Sequence, residues 1–113
     1  MIKLSILLAR KKELSHEEFV NYHKTNHAQL FASIPVVKEN VKKYVQCHSL
    51  PENPPGLPAP VYDGITEIWL DDMDALGKVF TDEKYMEIIR PDEEKFIDIH
   101  GCSFLISTEN VVI

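Results

Sequence analysis

Three of the four stretches that read as β-strands carry apolar side chains on both alternating faces, and this limits the folds open to the chain. In Ile2–Ala9, the set Ile2, Leu4, Ile6 and Leu8 is wholly apolar. Its alternate, Lys3, Ser5, Leu7 and Ala9, is half apolar. Tyr62–Leu70 repeats the pattern with Ile65, Ile68, Trp69 and Leu70, and Gly101–Ser107 does so with Cys102, Phe104, Leu105 and Ile106. Side chains alternate along a strand, so a sheet made from these segments needs cover on both sides.

The remaining segments supply one cover. Ser15 and Glu18 have the spacing of a capping box, which opens a helix over His16–Ser33. On that helix Phe19, Val20, His23, His27, Leu30 and Phe31 share a stripe. Pro35 disfavours helical geometry at Ile34 and interrupts the pattern, and Lys38–Asn40 adds a short helical turn. Val41–Leu50 reads as the second strand. The loop after it holds Pro51, Pro54, Pro55, Pro58 and Pro60, which exclude regular structure. Asp71, Asp72 and Asp74 start a helix over Met73–Phe80, a helical stretch follows over Asp82–Ile89, and Pro91 opens another over Asp92–Ile99. The tail Glu109–Ile113 reads as a strand or as an arm to a partner.

The order is β-α-β-β-α-β, the ferredoxin-like α+β arrangement with a four-stranded antiparallel sheet. Two helices cover one face of such a sheet. A second copy of the chain is the simplest cover for the other, which predicts a two-fold homodimer with two sheets packed together.

With 113 residues there is room for one domain spanning 1–113. The net charge of −6, with 12 basic against 18 acidic residues and no basic stripe, argues against a nucleic-acid partner. Cys47 and Cys102 lack metal or redox spacing and fit reduced thiols in a cytoplasmic protein. The run Ile6–Ala9 is too short for an export segment or a membrane span. Among only four glycines there is no phosphate loop, nucleotide fingerprint or nucleophile elbow, which argues against phosphoryl transfer, triad hydrolysis and nicotinamide chemistry.

Several segments, in order, resemble the EthD family of dimeric α/β barrels. They are Leu14–Phe19 leading to His27–Ala28, Lys43–Tyr44, Tyr62–Trp69 and Asp92–Asp98. The resemblance covers nearly the whole chain and implies the dimeric barrel fold. It also implies kinship with decarboxylase- or dehydratase-like members of fungal aromatic polyketide pathways. Cofactor-free monooxygenases, polyketide cyclases and a muconolactone isomerase share the wider fold, and fold alone does not choose among them.

His23 and His27 stand one turn apart on the apolar face of the first helix. An imidazole in a dry pocket suits general acid/base work. His27 matches the family's His-Ala position and is the candidate proton-transfer group, with a core histidine as the alternative; for His23 the core reading is preferred. A zinc site would need a third ligand from Asp63, His48 or His100, and the H-E-x-x-H pattern is absent, so no metal is expected. Asp63, Glu67, Asp92, Glu93 and Asp98 are the carboxylates available to orient His27, and Asp63 is chosen; Asp92 and Glu93 read as helix-capping residues.

Tyr44 is the candidate contact to a substrate oxygen. His23, Tyr22, Phe31, Trp69 and Phe96 are candidates for lining the substrate pocket, with ordinary packing preferred for Tyr22 and Trp69. The expected activity is a lyase-type reaction, decarboxylation or dehydration, on a small aromatic or polyketide-like carbonyl compound, with no cofactor. Cofactor-free oxygenation is the alternative. A non-catalytic binder of apolar small molecules, or a bare dimerisation scaffold, are the rivals from other classes.

Overall fold

A computed structural model describes residues 1–113. Strand β1 (Ile2–Leu8) lies inside the sheet, antiparallel both to β3 (Gly64–Leu70) and to β4 (Ser103–Ser107). Strand β2 (Val41–His48) pairs with the outer side of β3, giving the order β2-β3-β1-β4. This is the ferredoxin-like α+β fold. Strands β2 and β3 approach closely where they meet: a Cβ on Gly64 would lie 2.6 Å from the Cys47 carbonyl oxygen, so only glycine fits.

The register sorts the two parities. Leu4 and Leu8 of β1 and Thr66, Ile68 and Leu70 of β3 are buried beneath the helices. On the opposite face Leu7 lies across from Ile65, Ser5 from Glu67 and Lys3 from Trp69. That face is more polar at its centre than the alternation suggested. Lys3 Nζ donates to Glu67 Oε2 at 2.8 Å, and the ammonium groups of Lys3 and Lys43 both lie over the Trp69 ring.

The first helical rod begins at the expected capping box: Glu18 N donates to Ser15 Oγ at 3.0 Å, and Ser15 N to Glu18 Oε1 at 2.9 Å. It comprises α1 (His16–Tyr22), a wide π-helical turn (His23–His27) and α2 (Ala28–Ser33). The Thr25 hydroxyl donates to the Asn21 carbonyl at 2.6 Å and competes for an acceptor the helix would otherwise use. The Ala28 N–H then reaches back to His23 O, five residues away. Pro35 does more than interrupt: it takes the first turn of α3 (Pro35–Asn40), where its missing N–H has no helical acceptor to lose.

The second layer contains α4 (Met73–Phe80), capped by Asp72, and a helical rod over residues 83–96. That rod is continuous through Pro91, where the sequence suggested two separate helices. A second π-helical turn (Tyr85–Ile89) precedes α5 (Arg90–Phe96). Pro91 cannot donate to the carbonyl four residues back and its ring would collide with it; widening the turn relieves both problems. No helix is long and apolar enough to cross a membrane.

Two apolar clusters fill the space between helices and sheet. The larger is built on Leu4, Phe31, Ile68, Leu70, Val79, Tyr85 and Ile89, and the smaller on Leu8, Phe19, Phe96 and Ile97. A cavity remains between sheet and helices, bordered by members of both clusters.

Candidate functional site

The cavity has a volume of about 460 Å³, and 15 of its 20 lining residues are hydrophobic. Its polar groups come from His23, His27, Tyr44, Thr66, Tyr85, Arg90 and Glu93. A mostly apolar hollow with a few convergent polar groups is the usual form of a small-molecule site. Each wide turn contributes to it: the first presents His23 and His27, the second Tyr85.

Positions four apart share a face in either kind of turn, and the rings of His23 and His27 lie 5.9 Å apart between centroids, inclined at 31°. Their environments differ. His23 Nδ1 faces His48 Nε2 at 3.0 Å, and its Nε2 faces the Thr66 hydroxyl at 3.2 Å. With no carboxylate beside it, burial pushes its pKa down to about 3, assisted by His27 and His48, so the ring is neutral.

His27 Nδ1 lies 2.9 Å from Asp92 Oδ2. A carboxylate oxygen accepts, so Nδ1 carries the hydrogen and, in the neutral ring, the basic lone pair is on Nε2. Nε2 has no partner within the protein, and His27 lines the cavity. Asp92 is only 3% exposed and is held from behind by the Tyr22 hydroxyl, which donates to Oδ1 at 2.5 Å. Tyr22, Asp92 and His27 thus form a chain that ends in an open imidazole nitrogen. Burial and the bond to Asp92 raise the Tyr22 pKa to about 12, keeping the phenol a donor.

Tyr44 packs against Phe31, with centroids 4.8 Å apart and rings tilted by 43°, and accepts a hydrogen bond from Gln46 Nε2 at 2.8 Å. Burial raises its pKa to about 12, so its O–H remains available to donate into the cavity. Glu93 Oε2 accepts from the Tyr85 hydroxyl at 2.5 Å, and burial holds the Glu93 carboxyl above its ordinary range.

Of the residues the sequence nominated, His27, His23, Tyr44 and Phe31 line this cavity. Phe96 packs behind the histidines, 5.0 Å from the His27 ring, and Tyr22 stands behind Asp92. Trp69 is on the opposite face of the sheet, where its Nε1 donates to Glu109 at 2.5 Å. Asp63 is not the partner of His27. It lies at the far end of β3 and binds His16 Nδ1 at 2.8 Å and the Arg10 backbone N–H at 3.1 Å.

Asp92, Glu93 and Tyr85 were missed as site residues. The signal was present: on one uninterrupted helix, Tyr85, Ile89, Asp92 and Phe96 share a face, and a carboxylate on an aromatic face calls for a buried partner. Reading Pro91 as a helix start broke that face in two.

Comparison with solved structures shows the same fold. An EthD-family protein from Bacillus halodurans superposes with a TM-score of 0.71 at 19% identity, covering 97% of this chain and 99% of its own. A dimeric ferredoxin-like protein of unknown function from Thermobifida fusca gives 0.67 at 18% identity, covering 96% and 90%. A dabb family protein with a ferredoxin-like fold from Mesorhizobium loti gives 0.68 at 11% identity, covering 97% of both chains. No curated protein matches. The EthD domain matches residues 11–100, most of the chain, and the protein described here belongs to the EthD domain family.

Proposed function

We propose that this chain is a cofactor-independent proton-transfer enzyme of the lyase type, acting on a small aromatic or polyketide-like carbonyl compound. It would work in the manner of the decarboxylase- or dehydratase-like members of fungal aromatic polyketide pathways that it resembles. One observation carries the reading: His27 is oriented from behind by a buried carboxylate and turns its unpaired Nε2 toward an apolar cavity. Such an imidazole can take a proton from carbon next to a carbonyl, while the electron pair moves onto the carbonyl oxygen. The Tyr44 hydroxyl supplies a hydrogen bond to that oxygen as charge develops on it. The mostly apolar lining lowers the local polarity and strengthens both interactions.

The same reading includes a cytoplasmic homodimer joined through the uncovered sheet face. Support comes from Leu7, Ile65 and Trp69 on that face, from the free thiols of Cys47 and Cys102, and from the dimeric state named for the Thermobifida fusca protein.

A direct test uses the aldol of benzaldehyde and acetone as a probe, following deuterium exchange at its α-carbon by NMR in deuterated buffer. Wild-type protein should accelerate exchange, and His27→Ala should abolish the acceleration. Exchange that is equally fast in His27→Ala removes the proposed role.

A further inference from the structure

We propose that Glu93 is the general acid of this site and that the reaction is the elimination of water from a β-hydroxy carbonyl compound. The inference rests on the proton-transfer reading of His27 and extends it from proton removal to the departure of an oxygen.

The geometry sets two carboxylates of α5 to different tasks. Asp92 is absent from the cavity lining, with one oxygen on His27 and the other on Tyr22. Glu93, the next residue, lines the cavity together with Tyr85 and Arg90. Three neighbouring groups favour its ionised form, namely Tyr85, His27 and the Arg90 guanidinium paired with it. Arg90 Nε lies 3.2 Å from Oε1, off the line of a good hydrogen bond, and its charge acts on the carboxyl. Tyr85 contributes one donor, and His27 acts from the adjoining rod. Tyr44 from β2 and Cys102 from beyond α5 are neutral groups whose own ionisation Glu93 opposes. Burial outweighs these contributions and favours the protonated carboxyl. A carboxylate that orients the base and a neighbouring carboxyl that faces the cavity divide the two tasks acid/base catalysis requires.

The step balances as follows. His27 Nε2 takes the α-proton, and the C–H electron pair becomes the enolate, whose oxygen Tyr44 holds. The β-C–O bond then breaks with its pair on oxygen. That oxygen takes the Glu93 proton and leaves as water, while the enolate pair forms the C=C bond. A proton passing from His27 to Glu93 through solvent resets the site. The substrate class is a β-hydroxy ketone or β-hydroxy acyl compound with an apolar, aromatic body, and the reaction that supplies it must be an aldol addition, or a Claisen-type condensation whose β-keto product is then reduced.

The aldol of benzaldehyde and acetone separates the two steps, because α-exchange reads His27 alone and formation of benzalacetone, followed by its absorbance, reads the whole elimination. Glu93→Gln retains an oxygen for Tyr85 and should slow elimination about 100-fold, far more than it slows α-exchange. Wild-type elimination should fall as pH rises through the Glu93 pKa, and this limb should be absent in Glu93→Gln. Tyr85→Phe removes a donor that favours the carboxylate, so it should move the limb to higher pH. Elimination unchanged in Glu93→Gln, equal losses of elimination and exchange, or a limb that neither variant alters would overturn the proposal while leaving the role of His27 standing. If His27→Ala retains exchange, both fall.

Discussion

Two imidazole–carboxylate pairs in this protein have nearly the same geometry and opposite prospects. His27 and Asp92 meet at 2.9 Å, His16 and Asp63 at 2.8 Å. The first pair is buried, with side chains 7% and 3% exposed, and the far nitrogen of its ring is unpaired beside a cavity. In the second, His16 is about a third exposed and its far nitrogen is spent on the Ser49 carbonyl at 3.0 Å. That pair ties the start of α1 to the end of β2 and the end of the proline-rich loop. A short contact between histidine and aspartate therefore says little by itself. What distinguishes a reactive pair is the second nitrogen and the space in front of it.

The comparison breaks most sharply at His27. Its replacement by Ala should reduce α-exchange of the aldol probe by about 1000-fold, whereas His16→Ala should leave exchange unaltered. Equal effects in the two variants would erase the distinction. Asp92→Asn comes next. With the ring no longer held by an anion, exchange should drop by about 10- to 100-fold, while Asp63→Asn leaves it alone; NMR exchange rates decide between them.

His23 sharpens the comparison from a third direction, since it is a buried imidazole with no carboxylate at all. Its folded pKa of about 3 lies below the ordinary histidine value of 6.5. Between those limits the unfolded chain binds a proton that the folded chain refuses, so stability falls as pH drops below 6.5. The slope from this group is at most about 1.4 kcal/mol per pH unit. Denaturant melts of His23→Gln should show a flatter acid limb than wild type; parallel limbs would mean that the ring is protonated in the fold. The smallest effect belongs to His16→Ala, which should cost about 1 kcal/mol of stability through lost hydrogen bonds to Asp63 and Ser49, measurable by the same melts.

The fold was legible in the sequence because its signals are local. Alternation in Ile2–Leu8 and Gly64–Leu70, the Ser15–Glu18 box and the proline cluster each act over a few residues, and the structure repeats them with ends shifted by one or two positions. His27 was legible too, as a polar residue on an apolar stripe. Its partner was not. Asp63 and Asp92 lie 36 and 65 positions from His27, and only packing chooses between them. That choice depended on the rod over residues 83–96 continuing through Pro91, and a proline in mid-helix is read from sequence as a boundary. The wide turn that accommodates it has no comparable signature. Trp69 was misplaced for a related reason: a strand apolar on both parities does not say which side faces the pocket, and the neighbouring Lys3, Lys43 and Glu67 decide it.

The turn at His23–His27 has a consequence for how such a protein changes over generations. It accommodates one residue more than the regular helix on either side. Removal of Thr25 alone would let the rod close into an unbroken α-helix with both flanks still facing the sheet. The two imidazoles would then be three positions apart and about 60° out of alignment around the axis. One codon gained or lost would therefore reset the angle between the two rings, leaving the rest of the scaffold intact.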